Sequence, residues 1–154
     1  MSRPAEIDGV VVQPLKLIPN ARGRLMEIVR QEDPGFLGVA QVYLTSTFPG
    51  VIKAWYRHRR QTDQIASIAG LVKLVLFDSR EGSPSRDVVQ EICLGELAPR
   101  LVRIPPGVWH GFQAVGLTEA FLLHLNSVAF DPAHPDEERL GESHRLKPCL
   151  LYTS

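Results

Sequence analysis

The stretch Gly50–Gly70, GVIKAWYRHRRQTDQIASIAG, decides how this chain folds. Two runs rich in β-branched and aromatic residues, VIKAWYRH and QIASIA, flank the polar connection RRQTD. That is the pattern of two strands and a turn. Residues i and i+2 on a strand face the same side. Tyr56 and His58 therefore point together, and the returning strand brings Asp63 back toward them.

Farther along, Pro105, Gly107 and His110 follow the pattern P-x-G-x2-H. The spacing Gly50-x5-Tyr56-x-His58-x4-Asp63-x6-Gly70 with this second pattern resembles the paired motifs of cupin barrels. Tyr56 stands in the first His slot and Asp63 in the Glu slot. The Gly that should precede the proline and the trailing Asn are absent. The expectation is an all-β, cupin-type antiparallel β-barrel, jelly-roll-like, with the Tyr56–His58 strand beside the strand carrying His110. Two His and one carboxylate can also form the facial triad of a non-haem iron site. His58, Asp63 and His110 thus admit two readings, a metal-dependent oxygenase or a set of satisfied polar residues in a metal-free barrel.

The rest of the chain agrees with an all-β fold. Short apolar runs recur between Gly, Pro, Asn and Asp: GVVVQPLKLI, RLMEIV, VAQVYLTSTF, LVKLVLFD, VVQEICL, RLVRIP, GFQAVG and EAFLLHLNSVAF. LVKLVLFD, nearly all apolar, reads as a strand buried on both faces. Only RQEDPGFLGV suggests a helical turn, and no helical pattern alternates with the strands as a parallel sheet would require. The polar, Pro-rich DPAHPDEERLGESHRLKP reads as an extended terminal segment.

The 154 residues fit one domain, placed at 1–146. Residues 147–154, ending in CLLYTS, read as a non-native or unstructured tail, with the natural chain continuing past about Arg145. Lys+Arg and Asp+Glu are both 17. This balance argues against a general nucleic-acid or membrane-surface role, which favours a basic surplus. No signal-type segment and no membrane-length apolar run of about 20 residues is present. A cytoplasmic location is expected. Cys93 and Cys149 have neither metal-type spacing nor the pattern of a disulfide scaffold.

Four marks, PLKLIPNARGRLMEI, KAWYRHRRQTD, LFDSREGSP and IPPGVWHGF, together resemble the dTDP-4-dehydrorhamnose 3,5-epimerase family, and in particular its short-chain branch. The resemblance runs from about Val11 to about Leu140. It implies a metal-free cupin without cofactor, usually a homodimer, that acts on nucleotide-diphospho-4-keto-6-deoxyhexoses. Arg22 and Glu27 match the pair that contacts the nucleotide. Gln41 matches a pocket-lining strand position, and Asp78 the carboxylate of D-x-R-x-x-S-P. Lys53 stands where the family has an Arg on the diphosphate. His110 matches the pocket His. Tyr56 falls in the slot of the general-base His and His124 in that of the proton-donating Tyr. The carboxylate partner of the base would lie beyond the end of this chain.

Epimerisation beside a ketone needs a base on one face, an acid on the other and stabilisation of the enolate oxygen. Tyr, with a pKa near 10, is a poor base unless cations lower it. Arg57, Arg59 and Arg60 are close in sequence, though alternation turns Arg57 away. Otherwise Tyr56 is a proton donor and His58 or His110 the base. Asp63 joins the pocket set as a substrate-binding candidate. The expectations are a chain that binds a nucleotide-diphospho-sugar but epimerises it weakly, or a non-catalytic binding protein that has lost its base.

Overall fold

A computed structural model describes residues 5–141 and 143. Twelve strands follow in chain order among them: β1 Val11–Pro14, β2 Leu17–Asn20, β3 Gly23–Met26, β4 Gln41–Thr47, β5 Ile52–His58, β6 Asp63–Ala69, β7 Leu71–Asp78, β8 Val89–Gly95, β9 Arg100–Ile104, β10 Val108–Ala114, β11 Ala120–Asn126 and β12 Glu137–Arg139. Two five-stranded sheets, ordered β1-β9-β6-β11-β4 and β12-β5-β10-β7-β8, form the two walls, and β2 and β3 form a separate hairpin. All the strand pairings are antiparallel. This is the all-β jelly-roll expected from the motif spacing.

Period-2 alternation explains the layers. Val72, Leu74 and Leu76 of β7 join Ile65, Val102, Ile104, Phe112 and Leu122 in the apolar interior. The residues between them face outward but are buried too. Val75 and Phe77 pack with Trp55 and Trp109 on the outer face of their sheet, capped by Leu140. This accounts for the nearly continuous apolar run of β7. On the other sheet, Ala66, Leu101 and Leu125 are covered from outside by Met26, Ile28 and Val29.

Several sequence expectations shift. GVVVQPLKLI divides into β1 and β2, and RQEDPGFLGV forms turns with no helix. The β10 strand begins before His110, at Val108, and so carries that histidine inside the sheet. The polar terminal segment supplies β12, which pairs with β5. Trp55 and Leu140 extend that pairing with two backbone hydrogen bonds, at 2.7 and 3.0 Å. Arg57 and Arg59 ion-pair with Glu138, and Arg60 with Asp136. The basic cluster thus fastens the terminal segment to the barrel. The tail from 147 on lies outside the described residues.

Candidate active site

His110 and Tyr56 are direct cross-strand partners on β10 and β5. Four residues of β5 (Lys53 to Tyr56) lie against three residues of β10 (His110 to Phe112), a bulge. The extra residue changes the strand's parity, so Lys53 and Tyr56 line the same cavity. The cavity measures about 360 Å³ and opens to solvent. The second sheet contributes Lys53, Tyr56, His58, His110 and Phe112; the first contributes Tyr43, Thr45, Asp63, Ile65 and His124. Glu137 and Arg139 of β12 stand at the rim.

Asp63 joins the two walls. Its Oδ2 lies 2.8 Å from His110 Nε2 and 3.3 Å from His58 Nε2. The second ring nitrogen of His110 faces the Val108 carbonyl at 3.2 Å. That of His58 faces Asp136 Oδ2 at 3.7 Å. The imidazole rings are 6.1 Å apart, as adjacent strands require. Burial by itself would raise the Asp63 carboxyl, but the hydrogen bonds and charge of His110 and His58 outweigh it and hold the group well below the usual carboxylate range. Burial works the other way on His58. There Asp63, Glu137 and Asp136 prevail and raise its pKa.

Two carboxylates, Asp63 and Asp136, thus stand against His58. The donor atoms of His58, Asp63 and His110 lie within 4.8 Å of one another, close enough to hold a divalent cation. All three are already joined by hydrogen-bond-length contacts that suit proton chemistry as well.

On the facing wall, the Tyr43 and His124 rings stack at 4.4 Å, 10° from parallel. His124 Nε2 meets the Thr45 hydroxyl at 2.9 Å. Burial pushes His124 down to about 4, so it is neutral near pH 7. Arg139 lies over the Tyr56 ring at 5.6 Å. The cation seen over that ring thus comes from β12. Arg57 turns outward and stacks on Trp109 at 4.5 Å.

Gln41 lines a neighbouring opening of about 280 Å³ that shares Tyr43, His58, Glu137 and Arg139 with the cavity. Three candidates stand elsewhere. Arg22 sits on the exposed β2–β3 turn, where its backbone N–H donates to Asn20. Glu27 pairs with Arg30 at 3.5 Å rather than with Arg22. Asp78 is fully buried in a loop anchor, accepting from Arg80, Ser83 and Ser85. Sequence reasoning missed Tyr43, Asp136, Glu137 and Arg139. Tyr43 carried a signal, because it lies two residues from Gln41 and shares its face.

The family model described as dTDP-4-dehydrorhamnose 3,5-epimerase matches residues 4–140. The chain belongs to this epimerase family. It is 33% identical over 136 residues to a probable low-salt glycan biosynthesis epimerase, Agl13, of Haloferax volcanii, covering 87% of each chain. It is 34% identical over 134 residues to the spore coat polysaccharide biosynthesis protein SpsL of Bacillus subtilis, covering 87% of this chain and 89% of that one. Among solved structures, a dTDP sugar isomerase from Desulfovibrio desulfuricans superposes with a TM-score of 0.83 at 32% identity, covering 88% of this chain and 85% of the other. Membership makes this chain a sugar-nucleotide epimerase homologue with the family's barrel. No helix among the described residues is long and apolar enough to cross a membrane.

Proposed function

We propose that the chain epimerises a nucleotide-diphospho-4-keto-6-deoxyhexose, with His58 as the base that removes the proton next to the ketone. The observation that supports this most is the hydrogen-bonded set His58–Asp63–His110 inside an open cavity. A base held by a carboxylate is oriented and poised to take a proton. His58, 3.3 Å from Asp63 and 3.7 Å from Asp136, has its pKa raised by these carboxylates and takes the base role. His110 holds Asp63 in place. Tyr56, beside His110 on the same wall, donates toward the ketone oxygen and stabilises the enolate. Lys53 binds the diphosphate, with Arg139 at the rim assisting. The reading places the enzyme in the cytoplasm, in the synthesis of cell-surface or related glycans.

The test is deuterium incorporation from heavy water into a dTDP-4-keto-6-deoxyhexose, followed by proton NMR. Wild type should exchange the proton beside the ketone, and His58→Gln should slow this about 10²–10⁴-fold. A faster Tyr56→His variant would show instead that residue 56 is a damaged base slot. Binding without exchange would favour a non-catalytic sugar-nucleotide-binding protein. Activity that depends on a bound divalent metal would favour the metal reading of His58, Asp63 and His110.

A further inference from the structure

We propose that Tyr43 is the acid of this site, returning a proton to the sugar carbon on the face opposite His58. The proposal rests on the epimerase reading above and adds the second half of its proton economy. Inversion requires that the proton leave from one face and return to the other. His58, His110 and Tyr56 all stand on the β5/β10 wall. None of them faces the sugar from the β4/β11 side. On that side the cavity offers the proton-bearing groups Tyr43, Thr45 and His124.

Two of these are poorly suited. His124 shares its Nε2 with the Thr45 hydroxyl at 2.9 Å, so both are engaged with each other. His124, pushed down to about 4 by burial, is also neutral near pH 7 and has no imidazolium proton to give. Tyr43 remains. Burial raises its phenol above the ordinary value, against a hydrogen bond from Asn126 that lowers it, so the hydroxyl keeps its proton.

The stack on His124 fixes the Tyr43 ring. Their cross-strand register continues to Ile65, so Tyr43, His124 and Ile65 form one row across three strands. At about 4.8 Å per strand, Tyr43 is roughly 10 Å from Ile65 at the β6 end of that row, and Asp63 lies two residues before Ile65 on the same face of β6. Tyr43 and His58 thus line one cavity from facing walls. Tyr43 is 39% exposed and lines both the cavity and the neighbouring opening, which gives it a route to solvent.

The step balances without a co-reactant. His58 takes the proton, and the C–H electron pair moves into the carbonyl to form the enolate. The enolate carbon then takes the Tyr43 hydroxyl proton from the other face. Solvent reprotonates the phenolate, and the protonated His58 releases its proton to solvent.

The test separates exchange from inversion. Wild type, Tyr43→Phe and Tyr56→Phe are incubated in heavy water with dTDP-4-keto-6-deoxyglucose. NMR follows loss of the proton beside the ketone and appearance of inverted sugar, and dTDP binding is measured for each. Tyr43→Phe should bind dTDP normally and keep exchange within about threefold, while inversion falls about 10²–10⁴-fold. Tyr56→Phe should slow exchange and inversion together. Inversion by Tyr43→Phe near the wild-type rate overturns the proposal, and so does a parallel loss of exchange and inversion in that variant. If wild type neither exchanges nor inverts, the epimerase reading itself fails and the acid role falls with it.

Discussion

At the scale of single residues, the charge on His58 is set by burial against three carboxylates. Burial lowers its affinity for a proton, but Asp63, Glu137 and Asp136 outweigh that and raise it. A base works only when neutral. The acid limb of kcat/KM should therefore have its midpoint above about 6.5, the ordinary His value. Asp63→Asn removes the strongest raising partner, so the limb should move to lower pH and the rate should fall. A limb that stays in place in Asp63→Asn would argue against His58 as the titrating base. Stability should follow the same group. Its folded pKa lies above the unfolded one, so the contribution of protonated His58 is fully present below about pH 6.5. It fades as pH rises through the raised value. Urea titrations should show this decline in wild type and a flatter profile in His58→Gln.

Among the elements, the loop after β7 depends on one buried carboxylate. Asp78 accepts from Arg80 Nε at 2.8 Å, Arg80 Nη2 at 2.9 Å, Ser83 Oγ at 2.6 Å and Ser85 Oγ at 2.7 Å. Arg80 also donates to the Asp8 carbonyl, which ties the N-terminal segment to the same anchor. Burial raises the Asp78 carboxyl, yet these donors hold it well below the usual range. Breaking a buried pair by removing one partner costs about 3–5 kcal/mol. Asp78→Ala should lose that much in urea denaturation while dTDP binding stays near wild type. Weakened nucleotide binding in a folded Asp78→Ala protein would restore the substrate-binding role implied by the family resemblance.

For the whole molecule, the edge of the first sheet at β4 bears on assembly. Strand β4 ends its sheet, and Val42 and Leu44 on its outer face are 53% and 56% exposed. An edge strand with apolar exposure favours pairing with another chain. We expect a homodimer, so sedimentation at micromolar concentration should give twice the 17.1 kDa chain mass. A monomeric mass would rule out that expectation. The ion pairs that hold β12 act at the same scale. They close the wall beside the cavity and bring Glu137 and Arg139 to its rim.

Much of this architecture was written locally. Period-2 alternation marked the strands and brought Asp63 back toward His58 across one turn, and the likeness of the paired motifs to cupin barrels supplied the barrel and the place of His110. The alternation and the turn depend on neighbours a few residues apart, whereas His110 lies 47 residues beyond Asp63 and was placed by the resemblance. The tertiary structure decided what crosses between strands far apart in sequence. The bulge in β5 put Lys53 and Tyr56 on one face, a parity change that alternation cannot reveal. The pairing of β4 with β11 set Tyr43 against His124, and the return of the terminal segment to β5 carried Asp136 to His58 and Arg139 to Tyr56. The fold also left Arg22, Glu27 and Asp78 outside the cavity. A strand's sequence states which side each residue takes. Only sheet register, set by hydrogen bonds between distant segments, states whom it meets there.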